Sequence, residues 1–182
     1  MSHFNLRNTT AYPAIFIVKQ GELVMAPQLP LAPGAELDIP TSTAPCGYQV
    51  VASTEALGHT YTAAPLALSG PTHYLAQLQQ QDAEDHFEVI SSPATAPNQL
   101  QFEKTTLSPV YFNIERDGAP MQTVVVVNSF EQTTLQLGDT YSLFAVINGI
   151  TTEAVTTDNP DAIITAVAAG NDAAGYFTLH VS

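Results

Sequence analysis

The sequence lacks tryptophan and has very few positively charged residues. Its 182 residues include no Trp, a single Cys (Cys46), and four Lys and Arg against 17 Asp and Glu. The resulting net charge of −13 repels phosphate backbones, and no basic cluster is present to release their counterions. We therefore predict that no nucleic acid is a partner. The lone cysteine excludes an intramolecular disulfide, so the fold depends on burial of apolar side chains.

Long apolar runs are also missing. No segment approaches the roughly 20 consecutive apolar residues that a spanning helix needs, which predicts no membrane span. The first ten residues have no apolar stretch behind a basic start, unlike a classical signal peptide. A cytoplasmic location is the default expectation. Because the composition is rich in Thr and poor in Lys, non-classical export or removal of a signal peptide stays an open alternative.

Short strand-like segments dominate what the sequence does contain. Ala14–Lys19 and Gln122–Asn128 are apolar and β-branched, and Phe177–Val181 alternates apolar with polar residues. Turn dipeptides such as Asp117-Gly118 and Asn148-Gly149 recur about every eight to twelve residues, which is typical of a sandwich or barrel of short strands. The pattern predicts an all-β protein.

Two segments are ambiguous between helix and strand. Residues 72–82 and 160–169 are short and partly apolar, so their periodicity alone does not separate the two structures. Each is followed by a Gly or Asp cluster and then by another strand signal. We predict that both form the first arm of a hairpin and are strands.

The two halves of the chain resemble each other. Thr9-Thr10 corresponds to Thr105-Thr106, and Asp82–Val89 aligns without a gap to Asp172–Leu179. A small, polar, Pro-rich segment joins the halves, as linkers do. The predicted organisation is a first β-sandwich repeat at residues 1–92, a Pro-rich linker at 93–98 and a second β-sandwich repeat at 99–182.

Each repeat has the size of an immunoglobulin-like sandwich, about ninety residues with some seven strands. The predicted fold is therefore two tandem, diverged β-sandwich (immunoglobulin-like) repeats. The Cys–Trp–Cys signature of true immunoglobulin domains is absent. The sequence leaves open whether the repeats are separate or packed into one body.

Catalytic and metal-binding motifs are missing. There is no Gly-x-Ser-x-Gly elbow, and no basic residue near Cys46 in sequence would activate its thiol. The five histidines show no zinc-site spacing, and the acidic clusters show no EF-hand pattern. We therefore predict no catalytic residue, no metal site and no cofactor.

Candidate ligand-contacting residues lie in two polar segments and at one further ring position. His59 and Tyr61 share a Thr-containing segment, and Tyr74 is predicted to be a second exposed ring. An acidic loop near residue 160 supplies carboxylate and amide oxygens. The candidate ligand-binding residues are His59, Tyr61, Tyr74, Asp158, Asn159 and Asp161.

Val124–Val127 is a run of four valines with no charged residue before Glu131. An exposed strand edge of this kind pairs readily with other chains. We therefore expect the strand to lie at the centre of a sheet or to be covered by a partner.

The leading functional hypothesis is a non-enzymatic interaction or structural protein that binds a protein partner or associates with itself as a homo-oligomer. It depends on the duplication, the missing catalytic motifs and a charged fraction of only 12%. The alternative is a lectin-like module for a carbohydrate or another small ligand, assisted by calcium at the acidic loops. A hydrolase is a third hypothesis, which would require a Ser–His pair or two close carboxylates in the structure.

Overall fold

The computed structural model describes residues 2–26, 28–41, 47–81, 84–170 and 176–182. Strands are the only regular secondary structure over these residues, which confirms the prediction of an all-β protein. In the same ranges no helix has the length and hydropathy required of a membrane span. The strands are β1 (Ser2–Asn8), β2 (Ala14–Gln20), β3 (Leu23–Val24), β4 (Pro30–Leu31), β5 (Glu36–Thr41), β6 (Tyr48–Ala56), β7 (His59–Thr62), β8 (Leu66–Ala67), β9 (Thr72–Gln81), β10 (Glu84–Pro93), β11 (Gln99–Lys104), β12 (Val110–Arg116), β13 (Ala119–Val126), β14 (Thr133–Gln136), β15 (Tyr141–Ile147), β16 (Ile150–Thr151), β17 (Val155–Thr157), β18 (Ile163–Ala168) and β19 (Phe177–Val181).

The two ambiguous segments are strands, as predicted. β9 pairs antiparallel with β10, and β18 pairs antiparallel with β19, so each is the first arm of a hairpin. Asp82, the last residue of the first segment, lies outside the described residues. The ladder hydrogen bonds of these long hairpins, rather than local periodicity, decide the conformation.

The strands form two compact units, and each unit takes strands from both halves of the chain. The first unit comprises Met1–Thr43 and Gly138–Ser182, and the second unit comprises Ala44–Leu137. These units do not coincide with the predicted division into residues 1–92 and 99–182. The physical reason is strand pairing, because the ladders join strands that are distant in sequence in preference to the neighbours within one half.

Each unit contains two sheets. In the first unit the sheets have the orders β19-β18-β1-β5 and β16-β15-β2-β3, with β17 on β15 and β4 on β2. In the second unit the orders are β10-β9-β11-β14 and β13-β12-β6-β7, with β8 on β6. Side chains from the two sheets of a unit meet in its core. Phe4 of β1 contacts Tyr141 of β15 with ring centroids 4.8 Å apart, and Phe102 of β11 contacts Phe112 of β12 at 5.1 Å.

The two units have the same pattern of strand pairing. β1 lies between antiparallel β5 and parallel β18, and β11 lies between antiparallel β14 and parallel β9. In the facing sheets, β2 pairs antiparallel with β15, and β12 pairs antiparallel with β6. Early strands of one half therefore combine with late strands of the other half, in both units alike.

The Thr-Thr-x-x-Pro motif shared by the halves has a structural role next to a buried polar residue. In the first unit Asn8 is buried, and its Nδ2 donates to the carbonyls of Tyr12 and Leu31, both at 2.8 Å. In the second unit the equivalent residue is Lys104, which is fully buried. Its Nζ donates to the carbonyl of Thr106 at 2.8 Å and to Ser129 Oγ at 3.3 Å. Both residues lie where the chain leaves one sheet of the unit for the other.

Candidate functional site

His59 and Tyr61 lie together on β7, an edge strand of the second unit. Their rings meet edge to face with centroids 6.5 Å apart. The Tyr61 hydroxyl donates a long hydrogen bond of 3.4 Å to Asp85 Oδ2. Partial desolvation, and then the Asp85 carboxylate, raise the pKa of Tyr61, so the phenol stays neutral at physiological pH. The pair presents two polar-tipped rings at a sheet edge.

The acidic loop lies in the first unit, between β17 and β18, and the oxygens of Asn159 and Asp161 accept hydrogen bonds from within the chain. Asp161 accepts hydrogen bonds from the His3 amide at 3.1 Å and from Ser2 Oγ at 3.2 Å. Asn159 Oδ1 accepts from the Asp161 amide at 3.0 Å, and Asp158 is exposed beside them. These interactions hold the N-terminal strand against the loop, which is a structural role.

No group of three or more His, Cys, Asp or Glu in the described ranges is arranged to hold a metal ion. The single cysteine and part of the acidic clusters lie outside those ranges, namely Cys46, Asp82, Asn171 and Asp172. Within the described chain, the predicted ligand-binding residues divide between the two units. His59 and Tyr61 belong to the second, and the acidic loop belongs to the first.

The prediction that Tyr74 is an exposed ring is wrong. Its ring is fully buried in the core of the second unit and stacks on Phe102 at 5.5 Å between centroids. Among the described residues its hydroxyl is the one buried side-chain N or O atom without a hydrogen-bond partner. Burial raises the pKa of Tyr74, and Thr72 beside it opposes the rise. Alternation along β9 puts either Tyr74 or Leu75 inside, and local sequence does not tell which.

We expect Tyr74→Phe to stabilise the protein, because it removes a buried hydroxyl with no hydrogen-bond partner in bonding geometry. The neighbouring Thr72 Oγ1 donates to the Gly70 carbonyl at 2.9 Å instead. The free energy of unfolding should increase by about 1 kcal/mol, with a melting temperature about 2–4 °C higher. Thermal unfolding followed by circular dichroism measures the change. Tyr48→Phe is the control, because Arg116 lies over the Tyr48 ring at 5.3 Å and interacts with its hydroxyl. A melting temperature lowered by Tyr74→Phe would show that the hydroxyl has a partner.

Three neighbouring strands of the second unit bring Ser92, His73 and Glu103 together, a cluster that the sequence did not predict. His73 Nε2 lies 3.1 Å from Glu103 Oε2, and Ser92 Oγ lies 3.5 Å from His73 Nδ1. Ser–His–acid is the connectivity of a hydrolytic triad. The residues are 11 to 30 positions apart, so only the strand register could reveal them.

The position of this cluster on a sheet face argues against hydrolysis. Strand amides point along the sheet toward neighbouring strands, so an oxyanion formed above Ser92 would lack backbone donors. The contact between Ser92 and His73 is also at the outer limit of a hydrogen bond. The equivalent residues of the first unit are Ser182, Ile163 and Arg7. We assign the cluster to cross-strand polar pairing.

The valine-rich strand β13 lies at the edge of a sheet, next to β12 only. The first of the two alternatives, a central strand, is therefore wrong, because β12 pairs with β6 on one side and leaves β13 last in the sheet. We call this strand together with Val127 the β13 edge. Its Val125 and Val127 are 42% and 60% exposed, and Tyr111 of β12, directly opposite Val125, is also exposed.

The β13 edge differs from the other described edges in length and charge. β10 carries Glu84, Asp85 and Glu88, and β5 carries Glu36 and Asp38. The remaining long edges, β7, β14 and β19, have four, four and five residues, whereas β13 has eight and no charge. Charges on an edge strand prevent pairing between molecules, and β13 has none. Pro120 and the register shift beside it interrupt only the start of the strand, so residues 123–126 form its regular, uncharged edge.

Comparison of the chain with protein-family models, with curated protein sequences and with solved structures gives no match. The function is therefore argued from the residues of the chain itself.

Proposed function

We propose that this protein is a non-enzymatic interaction module that associates with a second copy of itself through the β13 edge. Its architecture in this proposal is a pair of immunoglobulin-like sandwich repeats with exchanged strands. Two copies of β13 pair antiparallel across a twofold axis, which extends the sheet β13-β12-β6-β7 from one molecule into the next. The observation that carries the proposal is the uncharged β13 edge, in which Val125 of the strand and the following Val127 are both exposed.

Main-chain hydrogen bonds would provide the affinity. The outer side of an edge strand presents unpaired N–H and C=O groups, and a second edge strand satisfies them. In a twofold interface each patch meets its own copy, so the apolar Val125 and Tyr111 of one molecule face apolar neighbours of the other. The −13 charge repels two copies elsewhere, and the β13 edge is a surface on which they approach without adding charge to the contact.

Val125→Glu should abolish the association, because it places two carboxylates close together across the twofold axis. We expect wild-type protein to shift from monomer to dimer with concentration in sedimentation velocity, and the variant to remain a monomer over the same range. Raising the salt concentration should strengthen wild-type association, because salt screens the repulsion between two acidic molecules.

Val181→Glu is the matched control, since Val181 is 39% exposed on β19, another edge strand. A mixture of Val125→Glu with Val125→Lys should dimerise again, because opposite charges then face each other across β13. Unchanged association of Val125→Glu would contradict the proposal, and so would a wild-type protein that is monomeric at all concentrations.

A lectin-like module is the second candidate, supported by the His59–Tyr61 ring pair alone. Flat aromatic faces at an exposed edge are surfaces on which sugar rings stack. The Asp161 carboxylate already binds the Ser2 hydroxyl and the His3 amide, so calcium assistance finds little support. A thermal-shift screen with sugars, in the presence and absence of calcium, distinguishes this candidate from self-association.

A further inference from the structure

A cavity of about 370 Å³ opens at one end of the second unit. Its size falls at the lower end of the range for small-molecule sites. The lining has four apolar side chains and three hydroxyl-bearing ones, and no charged residue contributes to it. The lining residues are Ala56, Leu57, Leu78, Thr105, Thr106, Leu107 and Ser108.

The cavity continues the space between the two sheets of that unit. Leu78 follows the buried Tyr74 and Ala76 on the inward side of β9, in one sheet. Ala56 ends β6 in the other sheet, and the Thr105–Ser108 loop connects β11 to β12 from one sheet to the other. An apolar ligand entering here would extend the hydrophobic core and would be desolvated on several sides.

Two of the lining leucines are not buried in the core and so contribute little to the stability of the fold. Leu107 is 96% exposed and Leu57 is 80% exposed. Leu57 also adopts a left-handed backbone with φ of 53° at the first position of its hairpin turn. The equivalent turn residues Asp117 and Asn148 have φ of 50°, which Asp and Asn tolerate far better than Leu. A stable fold alone would favour a polar residue at position 57.

The first unit has the same framework without these leucines. The parallel pairs Phe102↔Tyr74 and Leu6↔Ile164 align the units, so Leu78 corresponds to Ala168. The aligned Thr-Thr motifs make Leu107 the counterpart of Ala11.

The length of the hairpin that carries Leu57 also distinguishes the second unit from the first. It runs from Ala52 to Ala63, whereas its counterpart runs from Ala145 to Thr152 and is four residues shorter. The same cavity is therefore lined by Leu78 and Leu107, which stand where the first unit has alanines, and by Leu57 of this longer hairpin.

We infer that this leucine cavity binds a small, neutral, apolar molecule that carries one hydroxyl or carbonyl group, such as a medium-chain alcohol. The leucines contact the hydrocarbon part. The hydroxyls of Thr105 and Ser108 meet the single polar group, while Thr106 Oγ1 donates to the Ser108 carbonyl at 2.9 Å and holds the loop. An anionic ligand is disfavoured, because no charged side chain lines the cavity and the protein carries a charge of −13. The Lys104 ammonium lies in the same loop, but it donates to the Thr106 carbonyl and to Ser129 Oγ and is not part of the lining.

The test uses the neutral fluorophore N-phenyl-1-naphthylamine with the full-length protein. We expect a saturable rise in fluorescence with one site per chain, and displacement of the probe by 1-decanol. Decanoate, which has the same chain length and a negative charge, should compete about tenfold less well. A competition in which decanoate equals decanol would overturn the assignment of a neutral ligand.

Leu107→Ala and Leu78→Ala introduce the residues that the first unit has at these positions, and each should weaken probe binding about tenfold. Leu29→Ala is the matched control, because Leu29 is 65% exposed in the first unit and outside the cavity. Leu107 is so exposed that its removal leaves the fold intact, which a melting curve verifies. Binding by both variants at wild-type affinity would refute the site.

Leu57→Asn separates binding from folding. It should melt at a higher temperature, because Asn suits the left-handed turn, and it should bind the probe more weakly. A variant that is more stable and binds as tightly as the wild type would contradict the role of Leu57. Loss of wild-type probe binding as the protein concentration rises would show that a second copy fills the cavity, which would also overturn the inference.

Discussion

A protease site inserted between Ala96 and Pro97, once cut, will leave the two halves of the chain bound to each other as one species with the same mass as the uncut variant at the same concentration. Each unit is completed only by strands from both halves. β1 of the first half pairs with β18 of the second half, and β2 pairs with β15. Separating the halves therefore requires both cores to open, which exposes side chains such as Phe4 and Phe102.

Light scattering after size-exclusion chromatography measures this result, and a denaturing gel verifies that cleavage is complete. The uncut insertion variant is the control for the effect of the added residues. After unfolding in urea and dilution, the cut protein should refold at a rate that depends on concentration, because its halves must meet again, whereas the uncut control refolds at a constant rate. Elution of two species of about half the mass would instead support one independent domain per half.

This exchange of strands could not be predicted from sequence because it depends on pairing between distant segments. Alternation along Phe177–Val181 is a local property, and it correctly predicted a strand with Phe177 and Leu179 inward. Its neighbour β18 also pairs with β1 of the other half, and this long-range partner is decided by the connections at 43/44 and 137/138, where the chain passes between units. Those connections carry no pattern that distinguishes a crossing from a turn.

The alignment of the halves was informative about position but not about environment. It matched His86 with Tyr176, and in the structure both residues precede the inward-facing rings Phe87 and Phe177, which pair with Leu78 and Ala168. Both His86 and Tyr176 are exposed. The shared ring therefore indicated an equivalent position along the strand and not burial.

The candidate site residues were harder to predict because binding surfaces join segments through strand register. Leu57, Leu78 and Leu107 are at least 21 positions apart in sequence, and each alone is an ordinary leucine. Only the comparison of the two units shows that Leu78 and Leu107 replace alanines in one cavity. The β13 edge was predictable in composition, from the valine run, and unpredictable in placement, because edge and central strands have the same local pattern.

Lys104→Met should raise the stability of the protein, which is the second large effect that we expect. The Lys104 ammonium is fully buried, and in the part of the chain that the structure describes it has two neutral oxygens as partners and no carboxylate. Methionine has a similar length and no charge to desolvate. The Thr106 carbonyl still accepts a hydrogen bond from Ser129 Oγ in the variant. We expect the free energy of unfolding at pH 7 to increase by about 1–3 kcal/mol.

The pH dependence of stability identifies the cause of this effect. Burial lowers the pKa of Lys104 below its usual value of 10.5. Between the lowered pKa and 10.5 the unfolded chain binds more protons than the folded one, so wild-type stability should rise with pH across that window and be independent of this group below it. Lys104→Met should lose the rise. Lys19→Met, at a partly exposed lysine over the Phe144 ring, is the control and should retain it. Urea unfolding between pH 6 and 10.5 measures the free energy of unfolding of all three proteins.

A Lys104→Met variant that is less stable than the wild type at pH 7 would contradict the prediction. It would mean that the Thr106 carbonyl and Ser129 Oγ solvate the ammonium fully, and that Lys104 stabilises the bend between β11 and β12 in its charged form.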